Sequence, residues 1–260
     1  MSEPSQFVPG TFCWVELGTS DQAAAKQFYS QLFGWETSDS PIGDGQTYTM
    51  LRVRGKDTGG LYQQDPRQRG QGVPSHWLSY VSVENADDAA RKAASLGGTV
   101  IATPFDVMDV GRMAVVNDPS GATFALWQGR RHKGYGVVGE PGAVCWNELL
   151  TRETGPATHF YTNLFGWRTE VMSMPSGPYT LFINRDTQAA GMMKMPSYAG
   201  GAPPHWLVYF SIDNCDDRVA ATRQLGGNAL VPPTDVPGVG RFAVLQDPQG
   251  AVFGILQSPG

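Results

Sequence analysis

Cysteine is scarce. Three residues in 260 cannot build a disulfide framework, so a reduced, cytoplasmic protein is expected. Positive charge is scarce as well. Nineteen Lys and Arg stand against 24 Asp and Glu, for a net charge of −5. This excludes the basic footprint that nucleic-acid binding requires. No apolar run reaches the roughly 18 residues of a membrane span. The N-terminus, MSEPSQFVPG, lacks the basic start and apolar stretch of a secretory leader. No P-loop, Cys-x-x-Cys or Ser nucleophile elbow appears. The expected partner is therefore a small molecule rather than nucleic acid or membrane, with the chain a monomer or homodimer.

What the sequence has is a duplication. FCWVEL at 12–17 returns as VCWNEL at 144–149, and FYSQLFGW at 28–35 as FYTNLFGW at 160–167. HWLSYVSVENADD at 76–88 returns as HWLVYFSIDNCDD at 205–217, and VGRMAVVNDPSGATF at 110–124 as VGRFAVLQDPQGAVF at 239–253. Between 12–35 and 144–167, 12 of 24 positions are identical. A period this long is a domain duplication rather than a solenoid, whose repeats run about 20–50 residues. The expected domains are 1–132 and 133–260, joined by the polar, Gly-rich segment 130–142. Its basic cluster, Arg130, Arg131, His132 and Lys133, reads as a solvated connector.

Each half has an inner rhythm. TFCWVEL is rich in aromatic and β-branched residues and reads as a strand. A helix follows from Asp21, with Thr19, Ser20 or Asp21 as N-cap and Gly34 closing it. Short strands follow, turning at GDGQ (43–46). The same pattern then runs again, with Asn85 to Asp88 capping the second helix and Gly97-Gly98 ending it. Each half is thus βαβββ twice, and the expected class is α+β with four such modules. Phe28 to Trp35 and Phe160 to Trp167 fall at helical spacing and belong to the core. Cys13 and Cys145 read as small buried hydrophobes.

A strand leading to D-x-A-x-x-F-Y-x-x-L-F-G-W, then a strand–DD–LGG helix and a closing D-P-x-G strand, resembles the vicinal oxygen chelate superfamily. That group holds glyoxalases, bleomycin-resistance proteins and extradiol dioxygenases. The resemblance implies two tandem glyoxalase-like domains, each cupping a divalent metal held by His, Gln or Glu. At the positions it implies for ligands the chain carries Trp14, Leu78 and Ala125, and by repeat Trp146, Leu207 and Gly254. Indole and alkyl groups offer no lone pair to a metal. Neither a metal nor another cofactor is therefore expected.

Strand alternation puts Phe12, Trp14 and Glu16 on one face of the first strand. The same rule gives His76, Leu78 and Tyr80, then Ala125 and Trp127, and in the second copy Trp146, Glu148, His205, Leu207 and Tyr209. A carboxylate beside tryptophans is desolvated and its pKa raised, which suits acid–base work near neutral pH. Glu16 and Glu148 are the catalytic candidates. Trp14, His76, Tyr80, Trp127, Trp146, His205 and Tyr209 are the substrate-binding candidates. The alternative for the histidines is a strand-start anchor, satisfied by backbone. Arg112 and Arg241 either bind an anion or brace a turn, with Asp118 or Asp247 as partners. The Met run at 192, 193 and 195 lines a cup or packs the core. Two functional classes stay open: a metal-independent isomerase or lyase acting on a carbonyl or hydroxylated metabolite, and a non-catalytic ligand-sequestering protein of the bleomycin-resistance type. Metal-dependent glyoxalase or dioxygenase chemistry is a third, opposed by the ligand positions.

Overall fold

The computed structural model describes residues 7–43, 45–174, 177–196 and 199–259. Asp44 of the expected turn, and the first six residues, lie outside them. The first half runs β1 (Phe12–Thr19), α1 (Gln22–Phe33), β2 (Glu36–Gly43), β3 (Gln46–Val53), β4 (Lys56–Gln63), a five-residue α2 (Pro66–Gly70), β5 (His76–Ser82), α3 (Ala86–Ser95), β6 (Thr99–Val107), β7 (Gly111–Asn117) and β8 (Thr123–Gly129). The second half repeats it: β9 (Val144–Thr151), α4 (Thr154–Phe165), β10 (Arg168–Met174), β11 (Gly177–Asn184), β12 (Thr187–Lys194), β13 (His205–Ser211), α5 (Cys215–Gln224), β14 (Asn228–Val236), β15 (Gly240–Gln246) and β16 (Val252–Gln257).

The expected starts and stops hold. Asp21 caps α1, its carboxylate accepting from the Ala24 amide at 3.0 Å, and Gly34 ends the helix at φ 72°. That left-handed conformation costs glycine nothing. Asn85 and Asn214 cap α3 and α5 in the same way. Each half forms one eight-stranded sheet, in the orders β2-β3-β4-β1-β5-β8-β7-β6 and β10-β11-β12-β9-β13-β16-β15-β14. The central pairs β1–β4 and β5–β8 are parallel, and the outer pairs antiparallel. Two tandem α+β domains of the expected class result.

Compactness divides the chain differently from the sheets. One unit comprises Met1–Trp14, Ser79–Gly134 and Asn147–Leu207; the other comprises Val15–Leu78, Tyr135–Trp146 and Val208–Gly260. In the first unit, Ala90 and Ala93 of α3 and Phe160, Tyr161 and Leu164 of α4 share a core with Val81, Ala114, Phe124 and Leu126. In the second, Phe28, Tyr29 and Phe33 of α1 meet Phe210 and Phe253. Each unit thus joins a helix of one half to strands of the other. Strand residues that alternate with these core positions face away from the helices. That helix-free face carries Tyr80, Met113, Ala125 and Trp127 in one unit, and Tyr209, Gly254 and Leu256 in the other.

Candidate functional site

Glu16 lies on β1 opposite Gly60 of β4. Tyr48 of β3 reaches across Gly60, and its hydroxyl donates to Glu16 Oε2 at 3.1 Å. Glycine is required at 60, because a Cβ there would stand 2.0 Å from the Tyr48 oxygen. Tyr62 crosses Gly18 in the same manner. Its hydroxyl accepts from Gln68 Nε2 at 3.3 Å, and Asp65 caps that short helix with a full capping box. Burial and then the nearby Glu16 carboxylate push the Tyr62 pKa up to about 12. One carboxylate and two phenols thus lie together on one face of the sheet here.

The second copy keeps the same register. Glu148 pairs with Gly191, and Tyr179 with Met193, as Glu16 pairs with Gly60 and Tyr48 with Tyr62. Glu148 is buried at 8% exposure. Leu150 replaces Gly18 and Met193 replaces Tyr62, so the second carboxylate keeps one tyrosine in its strand register rather than two. Tyr48 and Tyr179 were missed by strand alternation on β1 alone. The signal was present, since both copies keep Tyr-Thr on the third strand and Gly one strand over.

Trp14 is 4% exposed. Its indole meets the His132 ring edge-on, with centroids 4.4 Å apart. Trp127 donates its N–H to the His132 carbonyl at 3.1 Å and packs near Tyr80, whose hydroxyl points to Met113 Sδ at 4.0 Å. His132 is therefore not part of a merely solvated connector. Its basic neighbours are: Arg130 pairs with Asp106 and Arg131 with Asp109 at the surface. Trp146, the repeat of Trp14, is only half-buried. Tyr209 lies across Gly254, where a Cβ would come 2.3 Å from the ring.

Four expectations change or resolve. Phe12 leaves the Trp14 face and packs on Trp167 and Trp206 in the helix-side core; alternation does not extend through the first residue of β1. His76 and His205 each place Nδ1 2.9 Å from a proline carbonyl, Pro74 and Pro203. A carbonyl only accepts, so that nitrogen carries the proton. Both histidines are backbone-satisfied anchors at strand starts, and burial lowers the His205 pKa. Arg112 braces rather than binds, with a two-pronged pair to Asp87 and a further contact to Asp106. Arg241 does the same with Asp216 and Asp235. Asp118 and Asp247 are not their partners. These two carboxylates accept from the phenols of Tyr161 and Tyr29, each at 3.0 Å, and those phenols accept from Trp206 and Trp77. The Met run divides: Met192 packs in the helix-side core, while Met193 alternates with it. The cysteines are free. Burial pushes the Cys145 thiol up to about 12 and the Cys13 thiol higher, so neither supplies a thiolate nucleophile.

A cavity of about 110 Å³ is lined by Phe7, Ser82, Glu84, Gln128 and Lys133, and an open depression of about 370 Å³ by Asp235, Arg241, Gln257 and Ser258. Neither includes Glu16 or Glu148.

The family model of the Glyoxalase/Bleomycin resistance protein/Dioxygenase superfamily matches residues 11–126 and again 146–255. The chain belongs to that superfamily. Among relatives of this glyoxalase-superfamily chain is CFP32 of Mycobacterium bovis, whose name assigns it provisionally as a glyoxylase. It is 39% identical over 259 residues, covering 99% of this chain and 98% of the relative. The anthracycline biosynthesis protein DauV of a Streptomyces species is 36% identical over 263 residues, covering 97% and 95%. An Mn(II)-bound glyoxalase from Novosphingobium aromaticivorans shares the fold, with TM-score 0.64 at 14% identity over 99% of this chain and 83% of that one.

The divalent metal that the superfamily commonly uses does not fit the residues present. Its ligand positions hold indole, alkyl and glycine, and Tyr209 overlies Gly254. A divalent ion needs several N, O or S donors converging on it. Among the described residues, no group of three or more His, Cys, Asp or Glu is arranged to hold an ion. No helix among them is long and apolar enough to cross a membrane.

Proposed function

We propose that this superfamily member binds a small organic metabolite on the helix-free faces of its sheets and acts on it without a metal. Glu16 and Glu148 would move a proton on a carbonyl or hydroxylated compound, in isomerase- or lyase-type chemistry. The observation that carries the reading is the Tyr48 hydroxyl held on Glu16 across a strand where only glycine fits. A phenol so placed can orient the carboxylate for proton transfer. A relative named as a glyoxylase accords with a carbonyl substrate. Removal of the metal ligands from both copies, with the carboxylate kept in both, supports acid–base over Lewis-acid chemistry.

A second reading, ligand capture without turnover, draws on the aromatic and thioether surface of Tyr80, Met113 and Trp127. A relative named for anthracycline biosynthesis makes a polycyclic aromatic ligand reasonable for either reading.

The test uses Glu16→Gln, Glu148→Gln and the double variant, against a panel of 2-oxoaldehydes and hydroxylated polycyclic ketones. General acid–base catalysis contributes on the order of 10²–10⁴ in rate, so kcat for any compound turned over should fall by about that factor in the double variant, with KM little changed. Binding without turnover, weakened by the same substitutions, would favour the second reading. Unchanged binding and turnover in all three variants would remove both. Elemental analysis of protein purified without chelator should find substoichiometric Mn, Zn, Ni and Fe.

A further inference from the structure

The two sheets have four edge strands, and three of them carry devices against further pairing. β2 has Pro41 and a register shift just beyond it. β6 has Pro104 and two register shifts against β7. β14 has Pro232 and Pro233 and two shifts against β15. Proline cannot donate to a neighbouring ladder, and a bulge bends an edge away from one. Such features keep an edge from pairing with another chain. The fourth edge, β10, has neither. Its sequence, RTEVMSM, contains no proline. It holds seven consecutive pairs with β11, from Arg168 opposite Ile183 to Met174 opposite Gly177, without a shift. Two large apolar side chains stand out from it, Val171 at 69% and Met172 at 43% exposure. A regular, apolar, exposed edge is a template for one more strand.

We propose that β10 is a docking edge for a second copy of this chain, the two strands pairing antiparallel about a two-fold axis at Val171. The sequence of the strand selects that partner and that register. Pairing about Val171 sets Val171 against its symmetry mate, Thr169 against Ser173, Glu170 against Met172 and Arg168 against Met174. All seven residues are then paired. β-Branched pairs and Thr–Ser pairs are favourable across strands, and like charges directly opposite are not. The neighbouring symmetric registers are worse. Centring on Glu170 places two carboxylates face to face. Centring on Met172 leaves Arg168 and Thr169 without partners in β10. In the Val171 register the two Glu170 side chains meet only diagonally, and Arg168 lies 3.9 Å from Glu170 on its own strand to offset that charge. A two-fold contact of this kind closes on itself and does not propagate. One strand pair buries less than the roughly 1,200 Å² of a stable interface, so the association is weak and reversible.

Analytical ultracentrifugation of the full chain from about 10 µM to about 1 mM, the range of weak association, tests this. Wild type should pass from monomer toward dimer across that range. Val171→Lys sets two ammonium groups opposite each other and should lower the association constant by about tenfold. Its circular dichroism and melting should be those of wild type, because the side chain is exposed. Ile101→Lys, equally exposed but on the proline-bearing β6, should change nothing. Val171→Cys should oxidise to a disulfide-linked dimer. Residues directly opposite across an antiparallel pair have Cα atoms about 4.5–5.5 Å apart, within the span of a disulfide. Thr169→Cys should not link, because its mate lies roughly 13 Å away along the strands. A wild type that stays monomeric throughout overturns the proposal, even if an extended peptide of another sequence pairs with the edge. So does a dimer as strong in Val171→Lys as in wild type, and so does equal cross-linking at 169 and 171.

Discussion

At the scale of the residue, the two copies separate side chains kept for packing from those available for chemistry. The aspartates of the D-P-x-G turns belong to the first group. Asp247 accepts from the amides of Gln249 and Ala251 and from the Tyr29 hydroxyl. Burial raises its pKa, with these hydrogen bonds opposing the rise. An acid whose folded pKa lies above its unfolded value favours the folded state most at low pH. That contribution is complete below the unfolded value near 3.8 and is lost as pH rises through the folded one. Asp247→Asn keeps an acceptor oxygen but cannot titrate. The stability of wild type relative to Asp247→Asn should therefore improve as pH falls from 7 toward 4. Urea unfolding at a series of pH values measures this, and a difference constant with pH would show that Asp247 titrates alike in the folded and unfolded chain.

At the scale of the element, the strands explain what the sequence made legible and what it hid. Helix caps, turn glycines and the βαβββ order follow from local chemistry, and Asp21, Gly34 and Asn85 sit where that chemistry puts them. Alternation likewise separated Trp77 and Phe124, on the helix side, from Tyr80 and Trp127. It could not reveal interactions across strands. Tyr48 reaches Glu16 over an intervening strand, and that contact depends on a glycine whose only local signature is weak strand propensity. Nor could local reading show that His132 of the linker returns to Trp14, since that is a tertiary event 118 positions away in sequence. The histidines, repeated in both copies, share a strand-start contact that local reading left as an alternative: each Nδ1 meets a proline carbonyl. The Tyr48–Gly60–Glu16 arrangement makes a prediction of its own. Gly60→Ala would drive a methyl into the Tyr48 hydroxyl and swing the phenol off Glu16. Ligand affinity or turnover should then fall to the level of Tyr48→Phe, with no further loss when the two are combined. Additive losses in that double-mutant cycle would mean that Gly60 and Tyr48 act independently.

At the scale of the whole molecule, sheets and compact units obey different boundaries. Hydrogen bonding closes each sheet within one half of the sequence, whereas side-chain burial joins segments of both halves into each unit. Tyr29 of the first half needs Asp247 and Phe253 of the second, and Phe33 packs on Phe253 and on Phe210. Tyr161 of the second half needs Asp118 and Phe124 of the first. Residues 1–132 alone would bare the aromatic face of α1 and leave a buried phenol without its carboxylate. Loss of several buried aromatic contacts, at roughly 3–5 kcal/mol for each large side chain whose packing is removed, is comparable to the roughly 5–15 kcal/mol that holds a typical domain together. Separately expressed 1–132 and 133–260 should therefore each lack cooperative thermal unfolding as monomers. Mixed, they should recover it together with the near-ultraviolet dichroism of the intact chain, because each supplies the other's missing wall. If 1–132 alone melts cooperatively as a monomer, the helix-side core must close without the second half, and the duplication would have joined two units that were already self-sufficient.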